Sequence, residues 1–263
     1  MTMQDLEAPA TGTRRKRHEL ESLILEMGRQ LIAEQGLGTG AEHLSFKAVF
    51  DQLEVRQSVK VTNASVIGRI WENQEDFQRA VLRSVASGDA LDLSPTVDCV
   101  AAVLAEADLS SIEGRRRALM DACRKGSAVT TETMRSSTGW STWLALWSLH
   151  AAEGSDKSDA EIATLLRSTA ARTAEQVAEL ASSAFDALGF DFAPGLDLTV
   201  VTAAIGSFTH GAFLNADSYD APARGLPMPT GPNGDVEDWT LMGIGIHSIV
   251  ERCCVPVEDH AEG

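Results

Sequence analysis

Apolar residues recur at helical spacing along most of this 263-residue chain, and segments in which they alternate with polar residues are scarce. The clearest case is the alanine-rich segment 159–188, which Gly189 can end. A first helix is expected to begin near Thr13 or Arg14 and to end at Gly36. Because only 5% of the residues are aromatic, the composition also favours helices over sheets. The sequence predicts an all-α fold of one large domain or two modest ones.

Charge is distributed unevenly along the chain. The formal net charge is −16, and residues 1–90 contain 11 Lys and Arg against 13 Asp and Glu, whereas residues 91–263 contain 11 against 25. The four basic residues at 14–17 are consecutive. The acidic excess therefore belongs mainly to the C-terminal part, and the N-terminal part can still approach a polyanion.

Three short helices are predicted after the first one. Ser45 can cap a second helix, Thr62 a third, and Asn73 begins a fourth that Gly88 ends. The second helix is expected to bury Phe46, Val49, Phe50 and Leu53, and the fourth Phe77, Val81 and Val85. A projection of the third at about 100° per residue puts Ala64, Ile67, Ile70 and Trp71 inward, and Thr62, Ser65, Val66 and Arg69 outward.

Two short helices joined by a turn, the second with a polar outer face, are typical of a helix-turn-helix. In that motif the second helix enters the major groove of DNA and reads bases near its N-terminus. The alternative is that the same helices make only a small core with a solvated surface. Periodicity does not distinguish the two interpretations.

The segment 14–88 resembles the TetR family of bacterial transcriptional repressors, in an actinobacterial-type variant. Glu34-Gln35-Gly36 matches the end of that family's first helix, and Trp71 stands at its usual Phe. Asn73-Gln74-Glu75 stands for its Ser-Lys-Glu, and Phe77 for the Leu that follows. Gly68 and Ile70 occupy the positions of its phosphate-contacting Tyr and neighbouring His, so these two contacts are not carried over.

The resemblance implies a homodimeric repressor that a small-molecule effector releases from operator DNA. If the tryptophans of residues 140–150 line the effector pocket, the effector is expected to be mostly apolar. The resemblance predicts a disordered tail over 1–13, a helix-turn-helix domain over 14–90 and an effector-binding and dimerisation domain over 91–263. The last two helices, about 194–216 and 236–254, are expected to form the dimer interface. Between them, the proline- and glycine-rich residues 217–235 are expected to form an exposed loop.

Candidate DNA contacts are the polar residues of the third helix and the basic residues near it. The basic run 14–17 is expected to lie along phosphates or in a minor groove, the alternative being a solubilising tail. The candidate DNA-binding residues are Arg14, Arg15, Lys16, Arg17, Ser45, Lys60, Thr62, Asn63, Ser65 and Arg69.

Three of the five tryptophans fall on one stripe of a helix within the segment 140–150. Such a stripe is either plain core or the wall of an apolar pocket, and both remain open. His150 beside it is a candidate contact, although a satisfied core histidine is the commoner role, for His210 as well. The candidate ligand-binding residues are Met120, Cys123, Trp140, Trp143, Trp147 and His150.

No catalytic or metal-binding motif is recognisable in the sequence. The four cysteines show no CxxC spacing, so we expect free thiols, no metal and no cofactor. The first twelve residues lack the pattern of a secretory signal, and 198–216 is too polar to span a membrane, which favours a cytoplasmic protein. The lack of a catalytic motif favours a protein that is not an enzyme. An α-helical small-molecule-binding protein or enzyme without DNA binding, and a helical protein-interaction module, are the alternatives.

Overall fold

The computed structural model describes residues 17–37, 41, 43–88, 91–153, 159–214, 225–230 and 235–257. The predicted tail 1–13, the basic residues Arg14, Arg15 and Lys16, and much of the predicted loop 217–235 lie outside the described residues. Within the described part the chain is mostly helical, as predicted, with ten helices and four short strands.

The four described strands all lie after residue 189, so the described elements before them are all helices. The helices are α1 (Arg17–Gln35), α2 (Phe46–Gln57), α3 (Asn63–Val66), α4 (Gln74–Ala86), α5 (Ser94–Glu106), α6 (Ile112–Ser136), α7 (Thr138–Glu153), α8 (Ala160–Leu188), α9 (Leu198–Leu214) and α10 (Leu241–Cys253). The strands are β1 (Phe190–Phe192), β2 (Leu226–Thr230), β3 (Asp235–Trp239) and β4 (Cys254–Pro256).

The chain divides into two compact units, unit 1 (Met1–Ser84) and unit 2 (Val85–Gly263). The division falls inside α4, so that most of this helix belongs to unit 1 and its last two residues belong to unit 2. A single continuous helix therefore carries residues of both units.

Aromatic rings fill much of the interior of unit 1. Phe46 stacks on Phe77 with ring centroids 4.8 Å apart, and Trp71 meets the Phe77 ring edge-on at 5.1 Å. Phe77 is fully buried. Ser45 caps α2 as predicted, because its hydroxyl oxygen accepts a hydrogen bond from the Ala48 N–H at 3.1 Å. The predicted inward faces of α2 and α4 are confirmed, since all their apolar members are buried.

Two glycines fix the ends and the packing of α1. Gly36 adopts a φ of +75° just after the helix, as expected for a glycine that ends one, and its N–H donates to the Ile32 carbonyl at 2.8 Å. A Cβ at Gly28 would lie 2.7 Å from Cγ2 of Val81, so α1 and α4 approach closely at this point. Any larger residue at 28 would force the two helices apart.

The third helix is shorter than predicted. It covers only Asn63–Val66, whereas the periodicity predicted a helix that continues to Trp71. Gly68 adopts a φ of +72°, and its N–H donates to the Trp71 carbonyl at 2.8 Å, so the chain turns instead of continuing the helix. The helix has already ended at Ile67, which is extended with φ −68° and ψ 130°, and Gly68 then takes the left-handed conformation of the turn, which costs a glycine little.

The predicted faces of this segment were consequently wrong at three positions, although Thr62 and Arg69 are exposed as predicted. Val66 was expected outward but is fully buried, whereas Ala64 and Ile67 were expected inward and are exposed. The projection assumed a constant rotation per residue, which holds only while the backbone is helical. Trp71 is nevertheless buried, because the turn returns the chain to the aromatic core.

Unit 2 is organised around the long helix α8. Its bounds agree with the prediction: the Asp159 carboxylate accepts from the Glu161 N–H at 3.0 Å, and Gly189 ends the helix with a φ of +62°. Strand β1 follows at once and pairs antiparallel with β4, which joins the end of α8 to the end of α10. The core beside them contains Ala118, Leu119, Phe185, Leu188, Phe190, Val201, Ile205 and Val250.

The region between the last two helices differs from the prediction of a structureless loop. Strands β2 and β3 pair antiparallel, and the buried indole Nε1 of Trp239 donates to Thr230 Oγ1 at 3.1 Å. The prolines of β2 argued against a strand, but each strand of a two-stranded ribbon has an open edge where a missing N–H is tolerated. Because β3 occupies Asp235–Trp239, the last helix begins at Leu241 and not near 236.

Helix α9 begins at Leu198, four residues after the predicted start at Pro194, and ends at Leu214. It contains no charged residue and buries Val201 and Ile205. None of the described helices is long and apolar enough to cross a membrane.

Candidate functional site

Two features of the described chain are candidates for function, an exposed polar segment in unit 1 and an apolar cavity in unit 2. The segment runs from Thr62 through α3 to Arg69 and follows α2 after a short connection. Ser58, the residue after α2, has a φ of +56° and donates its N–H to the Glu54 carbonyl at 3.1 Å. This left-handed residue ends α2 and redirects the chain towards α3.

Local hydrogen bonds fix the start of α3. The Ser65 hydroxyl donates to the Thr62 carbonyl at 2.6 Å, and the Thr62 N–H donates to Ser65 Oγ at 3.3 Å. The hydroxyl of Ser65 is therefore engaged within the protein. Thr62 and Asn63 are exposed at the first turn, which leaves their side chains accessible.

Arg69 lies in the turn after α3 and not on the helix itself. It is exposed, and it forms no ion pair with any other described residue. Its N–H donates to the Val66 carbonyl at 3.1 Å, which anchors the backbone while the side chain remains available. An exposed guanidinium without a carboxylate partner is a donor for an external anion.

Five other described basic residues of unit 1 are paired with carboxylates, namely Arg29, Lys47, Arg56, Lys60 and Arg79. Arg56 forms two hydrogen bonds to the Glu34 carboxylate, at 2.6 and 2.8 Å, and these bonds hold the pKa of Glu34 below its usual value. Lys60 Nζ lies 3.2 Å from a carboxylate oxygen of Glu54. Lys60, a predicted DNA contact, thus already has a partner. Such exposed pairs are weak, so an approaching phosphate can compete for the lysine.

The other predicted DNA contacts do not belong to the segment around α3. Ser45 uses its hydroxyl oxygen as the cap of α2 and is half-buried. Arg17 is the exposed first residue of α1, whereas Arg14, Arg15 and Lys16 are outside the described residues. The structure thus leaves Thr62, Asn63 and Arg69 as the accessible polar members of one short segment.

A cavity of about 150 Å³ lies inside unit 2. Most of its wall comes from α5, α6, α8, α9 and α10 and from the segment before α5. Helix α7 contributes Trp140. The lining residues are Leu91, Leu93, Thr96, Val100, Leu119, Ala122, Cys123, Gly126, Ser127, Thr130, Trp140, Thr173, Val177, Leu180, Ala181, Ala184, Phe185, Ile205, Gly206, Thr209, His210, Ile246 and Val250. None of these described residues is Asp, Glu, Lys or Arg, so the wall carries no permanent charge.

The titratable groups in the wall are held in their neutral forms. Burial raises the pKa of the Cys123 thiol to about 12, with a smaller contribution from nearby Cys254. Burial also lowers the pKa of His210 below its usual value. At neutral pH the cavity therefore contains an uncharged thiol and an uncharged imidazole.

The tryptophan stripe of α7 forms a stacked ladder. The Trp140 and Trp143 rings have centroids 4.9 Å apart and planes inclined by 17°, and Trp143 and Trp147 follow at 5.3 Å and 26°. The centroid of the His210 imidazole, on α9, lies 5.6 Å from that of Trp140 and 6.1 Å from that of Trp143. The ladder thus runs from the cavity wall at Trp140 away along the helix.

Two of the six predicted ligand-binding residues, Cys123 and Trp140, line this cavity. The other four, Met120, Trp143, Trp147 and His150, are absent from its described wall. Sequence reasoning missed the contributions of α8 and α9, among them Thr173, Thr209 and His210. The one signal that pointed to α9 was its long uncharged stretch, which was interpreted only as a buried helix.

Several buried polar atoms of α7 have no hydrogen-bond partner in the described part of the chain. They include the indole Nε1 of Trp140 and of Trp143 and both ring nitrogens of His150. Buried polar atoms normally have partners, and an indole N–H can only donate. His150 is therefore not the satisfied core histidine that was the commoner expectation.

The cavity-lining helix α8 also holds the end of α4. Thr169 is fully buried, and its hydroxyl donates to the Ala86 carbonyl at 2.9 Å. Arg172 donates to the Gly88 carbonyl at 2.9 Å. The adjacent residue Thr173 lines the cavity. Helix α8 therefore contributes both to the cavity wall and to the hydrogen bonds that the carbonyls of Ala86 and Gly88 accept.

No group of His, Cys, Asp and Glu side chains among the described residues has the arrangement of a metal site. Compared with known proteins, the chain matches no family model, and no curated protein matches it.

Proposed function

We propose that the protein is a homodimeric DNA-binding transcriptional regulator of the TetR type, a cytoplasmic non-enzyme whose operator affinity is lowered by a small, mostly apolar effector. The observation that carries the proposal is the continuity of α4. This helix carries residues of unit 1, and its end is hydrogen-bonded to the helix that lines the cavity of unit 2. A ligand in the cavity can therefore act on the helix that leads out of unit 1.

In this proposal α2 and α3 form the helix-turn-helix, and the exposed segment from Thr62 to Arg69 reads DNA. Thr62 and Asn63 lie at the start of α3, where the base-reading residues of such motifs are found. Arg69 is an exposed cation without a described carboxylate partner. The small charge imbalance of residues 1–90 allows this approach, and the acidic excess beyond residue 90 keeps the rest of the protein off the DNA.

The effector acts by selection between two arrangements of the dimer. A ligand releases DNA only if it binds the non-binding arrangement better than the binding one. The hydrogen bonds from Thr169 and Arg172 to the end of α4 provide the mechanical route, because α8 contributes both these bonds and much of the cavity wall. Helices shift by small steps of this kind in many regulated proteins.

Helix α9 supports the proposed dimer. Its exposed residues include Val200, Ala203, Ser207 and Leu214, which are separated by three, four and seven positions. That spacing matches one seam of a heptad pattern, and the helix has no charge to oppose association with a second copy. A homodimer is also what allows a helix-turn-helix protein to read two half-sites.

One observation favours a second candidate, a small-molecule-binding protein without DNA contact. The ion pairs of Arg56 with Glu34, Lys60 with Glu54 and Lys47 with Asp51 reduce the positive field of unit 1. The cavity would then be the whole functional site. The two candidates differ in whether Arg69 contributes to DNA affinity.

A matched pair of arginine variants tests the proposal. The full chain is titrated into labelled DNA from upstream of its own gene, and Arg69→Ala is compared with Arg56→Ala, whose side chain already pairs with Glu34. We expect Arg69→Ala to weaken binding by about 1–3 kcal/mol, the usual cost of a lost base contact. Arg56→Ala should cost about 0.5 kcal/mol or less.

Equal affinities of the wild type and Arg69→Ala would place the DNA-reading surface elsewhere. If the wild type shows no preference for this DNA over scrambled DNA of the same length, the second candidate is favoured.

A further inference from the structure

We propose that the cavity of unit 2 binds an uncharged molecule about the size of one aromatic ring, with a single hydrogen-bond acceptor that the indole N–H of Trp140 binds. The inference deepens the effector role proposed above and rests on it. Four observations carry it: the size of the cavity, its lack of charge, the use of its hydroxyl groups and the unpartnered indole.

The volume sets the size of the ligand. At about 150 Å³ the cavity matches the volume of an engineered apolar protein cavity that binds benzene. Side chains such as Val177, Leu180 and Ile205 supply an apolar wall for a ring. A molecule of several fused rings does not fit without moving one of the helices that form the wall.

The wall excludes a charged ligand. It contains no Asp, Glu, Lys or Arg among its described residues, and His210 and Cys123 are neutral. A carboxylate or an ammonium group placed there would lose its hydration without gaining a counter-ion. The ligand must therefore be uncharged at neutral pH.

Three of the five hydroxyl-bearing residues of the described wall use their hydroxyl groups within the protein. Thr96 and Thr130 share a hydrogen bond of 2.9 Å between their side-chain oxygens, and Thr130 also lies 2.9 Å from the Gly126 carbonyl. Thr173 donates to the Thr169 carbonyl at 3.3 Å. These threonines offer a ligand few free donors.

The indole of Trp140 is different. Its Nε1 has almost no accessible surface and no partner among the described residues, and it belongs to a residue of the cavity wall, so the ring must turn slightly to present its N–H to a ligand. The ring stacks on Trp143 and lies beside the His210 imidazole. Because an indole N–H donates and cannot accept, its complement is a carbonyl, ether or similar acceptor. A ligand with that group would satisfy a donor that the protein leaves unsatisfied.

The test uses three small probes of similar shape on the full chain without DNA. Acetophenone carries a ring and a carbonyl acceptor, ethylbenzene lacks the acceptor, and benzoate carries a charge. Calorimetry or ligand-observed NMR gives each affinity. We expect acetophenone to bind about threefold to tenfold more tightly than ethylbenzene, the range for one neutral hydrogen bond, and benzoate to bind least.

Two tryptophan variants distinguish the effect of the Trp140 N–H on ligand binding from the effect of ring stacking. Trp140→Phe retains a ring but removes the N–H, and it should abolish the preference for acetophenone over ethylbenzene. Trp143→Phe changes the stacked neighbour outside the cavity wall and should keep that preference. Ala181→Leu should fill the cavity from α8 and weaken both neutral probes, which keeps the proposal testable if a tryptophan variant does not fold.

Each contrary result overturns a defined part of the inference. Retention of the preference in Trp140→Phe would rule out the indole as the donor, and tight binding of benzoate would rule out an uncharged ligand. Failure of both neutral probes to bind would remove the cavity as their site. These results are independent of DNA binding, so their failure is distinguishable from failure of the proposed regulatory function.

Discussion

In unit 1 the rings of Phe46, Trp71 and Phe77 pack on one another with centroids between 4.8 and 6.3 Å apart, whereas in unit 2 the tryptophans of α7 stack along one helix beside a cavity. The first cluster joins residues from three segments and fills the space between them. The second begins at a cavity wall and includes two indole N–H groups without a described partner. Aromatic residues thus fill the core of one region, and in the other they include indole N–H groups without a described partner.

The strongest test of this contrast is Phe77→Ala. Phe77 is fully buried and contacts both Phe46 and Trp71, so its removal should leave a cavity in unit 1 and lower the free energy of unfolding by about 3–5 kcal/mol. Urea denaturation of the full chain measures this loss. Trp147→Ala at the half-buried far end of the ladder is the control and should cost less. Equal losses would mean that both clusters are ordinary core.

A smaller difference in stability is expected between a change at a hydrogen-bonded indole of unit 2 and a change at an unpartnered one. Trp239→Phe removes an N–H that donates to Thr230, whereas Trp140→Phe removes one without a described partner. The two changes delete the same atoms, so the difference between them reports the N–H environment. We expect Trp239→Phe to be more destabilising by about 2 kcal/mol, because one change loses a hydrogen bond and the other removes an unsatisfied buried donor.

Thermal and urea unfolding of the two variants, measured side by side, give this difference. If Trp140→Phe destabilises unit 2 as much as Trp239→Phe does, the indole of Trp140 has a partner in solution and is not available to a ligand.

Helices with strong local signals could be predicted from the sequence. Helix α8 has a helix-favouring composition, Asp159 at its start and Gly189 at its end, and each of these acts locally. The caps at Ser45 and Asn73 were predictable for the same reason, since each depends on residues only three positions away.

Features set by tertiary context could not be predicted in the same way. The chain leaves α3 through the extended residue Ile67 and turns at Gly68, and the pairing of β2 with β3 tolerates prolines that normally argue against a strand. The cavity depends on side chains from helices far apart in sequence. A stripe of tryptophans was visible in the sequence, but which of them reaches the cavity is decided by how α7 packs.

Selection from a random pool of duplex DNA with the full chain tests the proposal that this protein reads DNA as a homodimer. We expect an enriched motif with two-fold symmetry, whose half-sites have centres about 34–36 Å apart, or about 10 base pairs. We also expect Arg69→Ala to relax the preference at one position in each half-site. A pool without an enriched motif after repeated rounds, from protein that is folded and still binds a neutral probe, would contradict the proposal.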